Sequence, residues 1–141
     1  MKLDEIRDLI AAESPIDSAN LDSESLTIPY KHSRWYGFMI DEISTLRVLQ
    51  YKYKTLKKDK YIYYSGKAAD EDYINQPLDY KLQKGEMQLF LESDKELLDI
   101  ENRIGIQELK VSCIEAFIKQ INQMSFNIKN AIEFQKFKNG F

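Results

Sequence analysis

The sequence predicts an all-α fold of a few long helices with coiled-coil-like packing, assembled as a homo-oligomer. Three observations predict it. Apolar residues recur at three- and four-residue spacings over long stretches instead of alternating. Only five glycines and three prolines interrupt 141 residues, too few for a chain of short strands and turns. The C-terminal third is apolar along two sides, which a single neighbouring helix cannot cover.

The elements follow in order. A short helix is expected over Leu3–Ala12, with Leu3, Ile6, Leu9 and Ile10 on one face and Pro15 beyond its end. Residues 14–29 are mixed in character, and Asp17 or Ser18 suits a cap. A long helix is expected from Pro29, a residue suited to a first turn, to about Tyr64. Its apolar stripe is Trp35, Met39, Ile43, Leu46, Leu49, Tyr53 and Leu56, and Gly66 is its stop. Residues 66–76 look like a loop, and a short helix is expected from Leu78 to Leu91 despite Gly85. The segment SDKE then offers a capping box, Ser93 as N-cap and Glu96 three residues on. The last helix should run from Asp94 to Phe134 or beyond. One core line is Leu97, Ile104, Val111, Ile118, Ser125 and Ile132; the other is Ile100, Gln107, Ile114, Ile121, Ile128 and Gln135. A further apolar line holds Ile106, Leu109, Cys113, Phe117 and Met124. Two arrangements satisfy such a helix: a central place in a monomeric bundle, or one face on the long basic helix and the other on a second copy. The second is preferred, because isoleucine at both core positions favours higher assemblies. The interface is then expected at Ile104, Val111, Ile114, Ile118, Ile121 and Ile128.

The length suits one domain, residues 1–141, with enough chain to bury a core. The N-terminus carries acids and lacks the central apolar run of a signal peptide, and no stretch approaches the roughly 18 apolar residues of a membrane span. Cys113 is the single cysteine, which excludes an internal disulfide and points to an intracellular setting. No phosphate-binding glycine loop occurs, His32 is the only histidine, and one cysteine with one histidine gives no metal-ligand spacing. We therefore expect a protein that is not an enzyme and needs no cofactor or metal.

The positive signal is charge placement. From Arg47 to Lys67 seven bases stand against one acid, Asp59, a local balance of +6 in a chain whose net charge is −3. At about 100° per helical residue, Arg47, Tyr51, Lys54, Lys58 and Tyr61 fall in one narrow sector away from the apolar stripe. Lys57 lies at its edge, and Lys60 points nearer the apolar side. Cations that follow phosphates, with rings that stack on unpaired bases, are what single-stranded nucleic acid requires. The same stripe also fits a plain solvated face, an anionic membrane surface or an acidic protein partner, the last making the chain a helical adaptor oligomer.

At LKKDKYIYYSGK, residues 56–67, the sequence resembles the UvsY family of T-even-like phage recombination mediators. Leu56, Lys57, Tyr63, Tyr64, Ser65 and Gly66 match the family motif, with Lys67 in place of its last arginine. The segments IDS (16–18), YKHSRW ending at Trp35, SDKELLDIE from Ser93 and the AIEFQKF tail agree in order and position, so the resemblance covers nearly the whole chain. It implies a ring-like homo-oligomer, hexamer or heptamer, that binds single-stranded DNA without a nucleotide. It further implies action in the host cell cytoplasm, with no membrane partner, in recombination, repair and replication. There it would help displace the phage single-stranded DNA-binding protein and load a RecA-like recombinase of the UvsX type. The implied DNA contacts are Lys57, Lys58, Lys60, Tyr63, Tyr64 and Lys67; the helical-face argument adds Arg47, Lys54 and Tyr61. The DNA-binding helix is then about 29–66 and the oligomerisation helix about 94–136.

Overall fold

The computed structural model describes residues 1–140 and contains five helices with no strand among them: α1 (Leu3–Glu13), α2 (Leu21–Tyr64), α3 (Asp70–Asn75), α4 (Met87–Glu92) and α5 (Lys95–Lys138). The all-α class and the two long helices are as the periodicity predicts. The chain forms two compact units, one of Met1–Ser44 with the chain from Gln107 onward, the other of Thr45–Ile106.

Several boundaries differ from the sequence reading, each for a local reason. α2 begins eight residues before Pro29. The Asp17 carboxylate accepts from the Ala19 N–H (2.9 Å) and from the Asn20 amide (2.7 Å), which closes a turn just ahead of Leu21. Pro29 then sits inside the helix, where it lacks an N–H to donate. Pro29 and Ser25, whose carbonyl loses that donor, are both exposed, so water can take its place. Residues 70–75, expected as loop, form α3 because Asp70, Glu71 and Asp72 occupy its first turn, where carboxylates favour the helix dipole. The helix expected over 78–91 shrinks to Met87–Glu92, since Gly85 takes a positive φ of 94° that an α-helix cannot contain. Ser93 closes α4 instead of opening α5, its hydroxyl donating to the Leu89 carbonyl at 2.8 Å. Asp94 is the N-cap of α5, accepting from the Leu97 N–H at 3.0 Å.

In the unit of the two termini the core is Ile6, Trp35, Ile114, Phe117, Ile121 and Met124, with Leu9, Ile10, Met39, Cys113 and Ile118 packed against it. Trp35 meets Phe117 edge-on at 4.6 Å and Phe38 at 5.2 Å. The two apolar lines of the last helix therefore merge here: Ile114 and Ile121 of one, Phe117 and Met124 of the other, share a core with α1 and α2. A short helix supplies the extra neighbour that the amphipathic argument demands. Of the residues expected between subunits, Val111, Ile114, Ile121 and Ile128 are buried within the chain itself, and Ile104 and Ile118 are half-buried. A side chain without exposed surface offers nothing to a second copy while this packing is kept.

One polar pair lies inside that unit. The Gln107 amide donates to the Glu42 carbonyl (2.8 Å) and to its carboxylate (2.5 Å), and the Met1 ammonium stands 3.2 Å from the other carboxylate oxygen. Gln107 occupies a core position of the heptad because it satisfies a buried acid.

Candidate nucleic-acid interface

All residues of this site belong to the unit Thr45–Ile106. Its apolar side is anchored by buried Leu49 and Leu97, with Leu46, Tyr53 and Leu56 half-buried. That burial sets the rotation of α2 and turns Arg47, Tyr51, Lys54, Lys58 and Tyr61 outward. All five are exposed, the two rings by 67% and 56%, so both have faces free to stack. None of the exposed bases Arg47, Lys52, Lys54, Lys57, Lys58 and Lys67 pairs with a carboxylate among the described residues. Lys57 is exposed at the edge of the stripe, its ammonium 5.8 Å from the centre of the Tyr53 ring. The Tyr53 hydroxyl donates to Glu101 at 2.7 Å, which raises its pKa by favouring the neutral phenol.

Lys60, Tyr63 and Tyr64 are placed differently. The Lys60 side chain is only 13% exposed, its ammonium 3.3 Å from Asp94 and 3.4 Å from Glu96. The Tyr64 hydroxyl donates to Asp94 at 2.6 Å, and its ring packs on Phe90 at 5.7 Å. Burial and the Asp94 carboxylate together push the Tyr64 pKa far above that of a free phenol. On Asp94 itself burial disfavours the charge. The Tyr64 hydroxyl, the Leu97 N–H and the Lys60 ammonium outweigh it and hold the pKa below the ordinary value. Asp94 thus ties the end of α2 to the start of α5 through one carboxylate.

Tyr63 ties the same end to α3. Its hydroxyl donates to the Gln76 carbonyl at 2.8 Å and its ring stacks on Tyr73 at 5.4 Å, while the Tyr73 hydroxyl donates back to the Tyr63 carbonyl at 2.8 Å. Gly66, at φ 79°, completes a Schellman stop: its N–H reaches the Tyr63 carbonyl and the Lys67 N–H the Ile62 carbonyl. Asp59 is exposed and makes no ion pair among the described residues. It lies off the stripe, on the wall of a groove of about 500 Å³ shared with Lys60, Tyr63, Lys67, Asp72 and Asn75.

The stripe is thus brought together as the helical spacing predicts, and half of the YYSG segment turns inward. Two participants escaped the sequence reading. Asp94 was visible only as a charge beside a favoured cap, and Tyr73 only as an aromatic in an acidic stretch. No group of three or more His, Cys, Asp or Glu is placed to hold a metal among the described residues, and no described helix is long and apolar enough to cross a membrane.

The fold is that of a known crystal structure. Bacteriophage T4 recombination mediator protein UvsY, in one lattice, superposes with a TM-score of 0.87 at 19% identity, over 99% of this chain and 98% of that one. Two further lattices of the same protein give TM-scores of 0.85, covering 98% and 95% of this chain and 99% and 98% of theirs. None of the curated protein sequences matches. The profile of the family described as "Recombination, repair and ssDNA binding protein UvsY" matches residues 10–141, nearly the whole chain, and the protein belongs to the UvsY family.

Proposed function

We propose that this protein is a single-stranded DNA-binding recombination mediator that works as a ring-like homo-oligomer and has no enzymatic activity. The observation that carries the reading is the exposed line Arg47, Tyr51, Lys54, Lys58 and Tyr61 on one face of α2, in a chain that is acidic elsewhere. Membership of a family described by single-stranded DNA binding supports it. Cations neutralise successive phosphates and release counterions, and the two rings stack on bases for about 1–3 kcal/mol each. Asp70, Glu71 and Asp72 in the first turn of α3 repel phosphates and steer the strand away from that helix.

In this reading Lys57 and Lys67 flank the strand, while Lys60, Tyr63 and Tyr64 hold the helix end in position through Asp94, Glu96 and Gln76. Three phosphate contacts per subunit give a salt slope of only about 2. Repetition around a ring supplies the remaining affinity as avidity. The ring assembles through α5, whose Leu109, Phe126, Phe134 and Phe137 are exposed large hydrophobics. By bending the strand over repeated stripes the ring loosens the resident single-stranded DNA-binding protein and presents the strand to a RecA-like recombinase of the UvsX type, in the cytoplasm of the infected host.

Titrating labelled single-stranded oligonucleotides at several salt concentrations tests the reading. Lys54→Ala with Lys58→Ala should weaken binding and lower the salt slope by about 1.4, two contacts' worth. Unchanged affinity and slope would remove the stripe from DNA binding and leave an acidic protein as its partner.

A further inference from the structure

In the segment between α3 and α4, Tyr80, Lys81, Leu82, Gln83 and Lys84 bring two bases and an aromatic ring together just after Asp79. Pro77 and Gly85 bracket it, and it folds back over the stop of α2. Together they form a groove of about 370 Å³ whose walls include Tyr64, Ser65 and Gly66 on one side and Tyr80, Lys81 and Lys84 on the other. That is the size range of sites for small ligands, about 300–1,000 Å³.

Its chemistry sets it apart. Lys81 and Lys84 are the only charged residues lining it, whereas the larger groove beside Lys60 also presents Asp59, Asp72 and Glu96. Both lysines are exposed, and neither pairs with a carboxylate among the described residues. Tyr80 stacks one face on Phe90, centroids 5.3 Å apart and planes 21° from parallel, yet stays 49% exposed, so its other face is open. Glu86 raises the Tyr80 pKa by favouring the neutral phenol. Among the carbonyls that end α2, those of Ile62 and Tyr63 are occupied by the Lys67 and Gly66 N–H groups.

We propose that this groove takes the next stretch of the single strand beyond the stripe, Lys81 and Lys84 receiving phosphates and the free face of Tyr80 a base. The inference rests on the single-strand reading of α2. It lengthens the path per subunit past Gly66 and gives the loop a reason for carrying cations in an acidic chain.

The test uses the full-length protein and two double variants, Lys81→Ala with Lys84→Ala and, as reference, Lys54→Ala with Lys58→Ala. Circular dichroism establishes that each is folded. Expected for the loop variant is a salt slope lower by about 1.4 for each subunit that a long oligonucleotide engages, with little change on ones too short to reach the groove. Amine-reactive labelling of the wild type should show Lys81 and Lys84 protected by single-stranded DNA. If the loop variant keeps the wild-type slope and its lysines stay reactive while the reference variant loses binding, the groove is not on the path and the α2 reading stands. If both variants bind like wild type, both readings fall. Protection by inorganic phosphate alone, with an unchanged DNA slope, would make the groove a free-anion site and overturn the inference.

Discussion

Asp94 is where one atom group is asked to do most, so its replacement should be costly in a graded way. Asp94→Ala removes the N-cap of α5, which is worth about 1 kcal/mol within a range of roughly 0.5–2. It leaves the half-buried Tyr64 hydroxyl without its acceptor, a loss of about 1–3 kcal/mol. Lys60 keeps Glu96 at 3.4 Å, so its ammonium is not stranded and the larger penalty of a broken buried pair does not apply. The expected destabilisation is therefore about 2–4 kcal/mol. Asp94→Asn keeps one acceptor oxygen, enough for the Leu97 N–H and hence the cap, but puts an amide N–H group where Oδ2 accepts from Tyr64 and faces Lys60. It should cost about 1 kcal/mol less than Asp94→Ala, the worth of the retained cap. Urea unfolding followed by helical circular dichroism measures both, the midpoint shifting at unchanged slope. An Asp94→Ala protein within about 0.5 kcal/mol of wild type would refute the idea that this carboxylate clamps the helix ends. Equal losses for the two variants would refute the role given to it as the cap of α5.

Other perturbations follow from the same packing. Aspartate at Ile114 or Ile121, both fully buried, should unfold the unit of the two termini instead of releasing intact monomers, because the charge would enter that core; sedimentation together with circular dichroism separates these outcomes. Trp35→Ala should cost about 3–5 kcal/mol, since it empties the contact between Phe38 and Phe117. Gln107→Leu should cost about 1–3 kcal/mol by stripping the Glu42 carboxylate of a buried donor, while Gln107→Ala adds a cavity and should be worse. Stability should also fall at both pH extremes. Asp94 has a lowered folded pKa, so its contribution is complete above the unfolded carboxylate value near 4 and is lost as pH falls below it. Tyr64 has a raised one, so its contribution is complete below the unfolded phenol value near 10 and is lost as pH rises beyond it. In Tyr64→Phe the alkaline limb of thermal stability against pH should shrink, with the part that Tyr53 contributes retained.

Much of this protein was legible in one dimension because helices express their period in sequence. The stripe from Trp35 to Leu56 is buried or half-buried throughout, and the five residues assigned to the opposite sector are all exposed. Gly66 stops α2 where a glycine should. Capping was legible only in kind: Ser93 and Asp94 are both good caps, and which one serves depends on Tyr64 and Lys60, 30 and 34 positions before Asp94. α3 was missed because six residues carry too little periodicity to be seen, although three acids at its start were a usable sign.

What the sequence determined by itself is the class, the two long helices and the outward line of cations and rings, since each follows from short-range spacing. Tertiary structure alone decided how the apolar lines are used. It let α1 fill the side of α5 that otherwise called for a second copy, and it withdrew Lys60 and Tyr64 towards Asp94. The physical reason is one of range: a helical period reports which way a side chain points, while burial depends on which distant segment arrives to cover it.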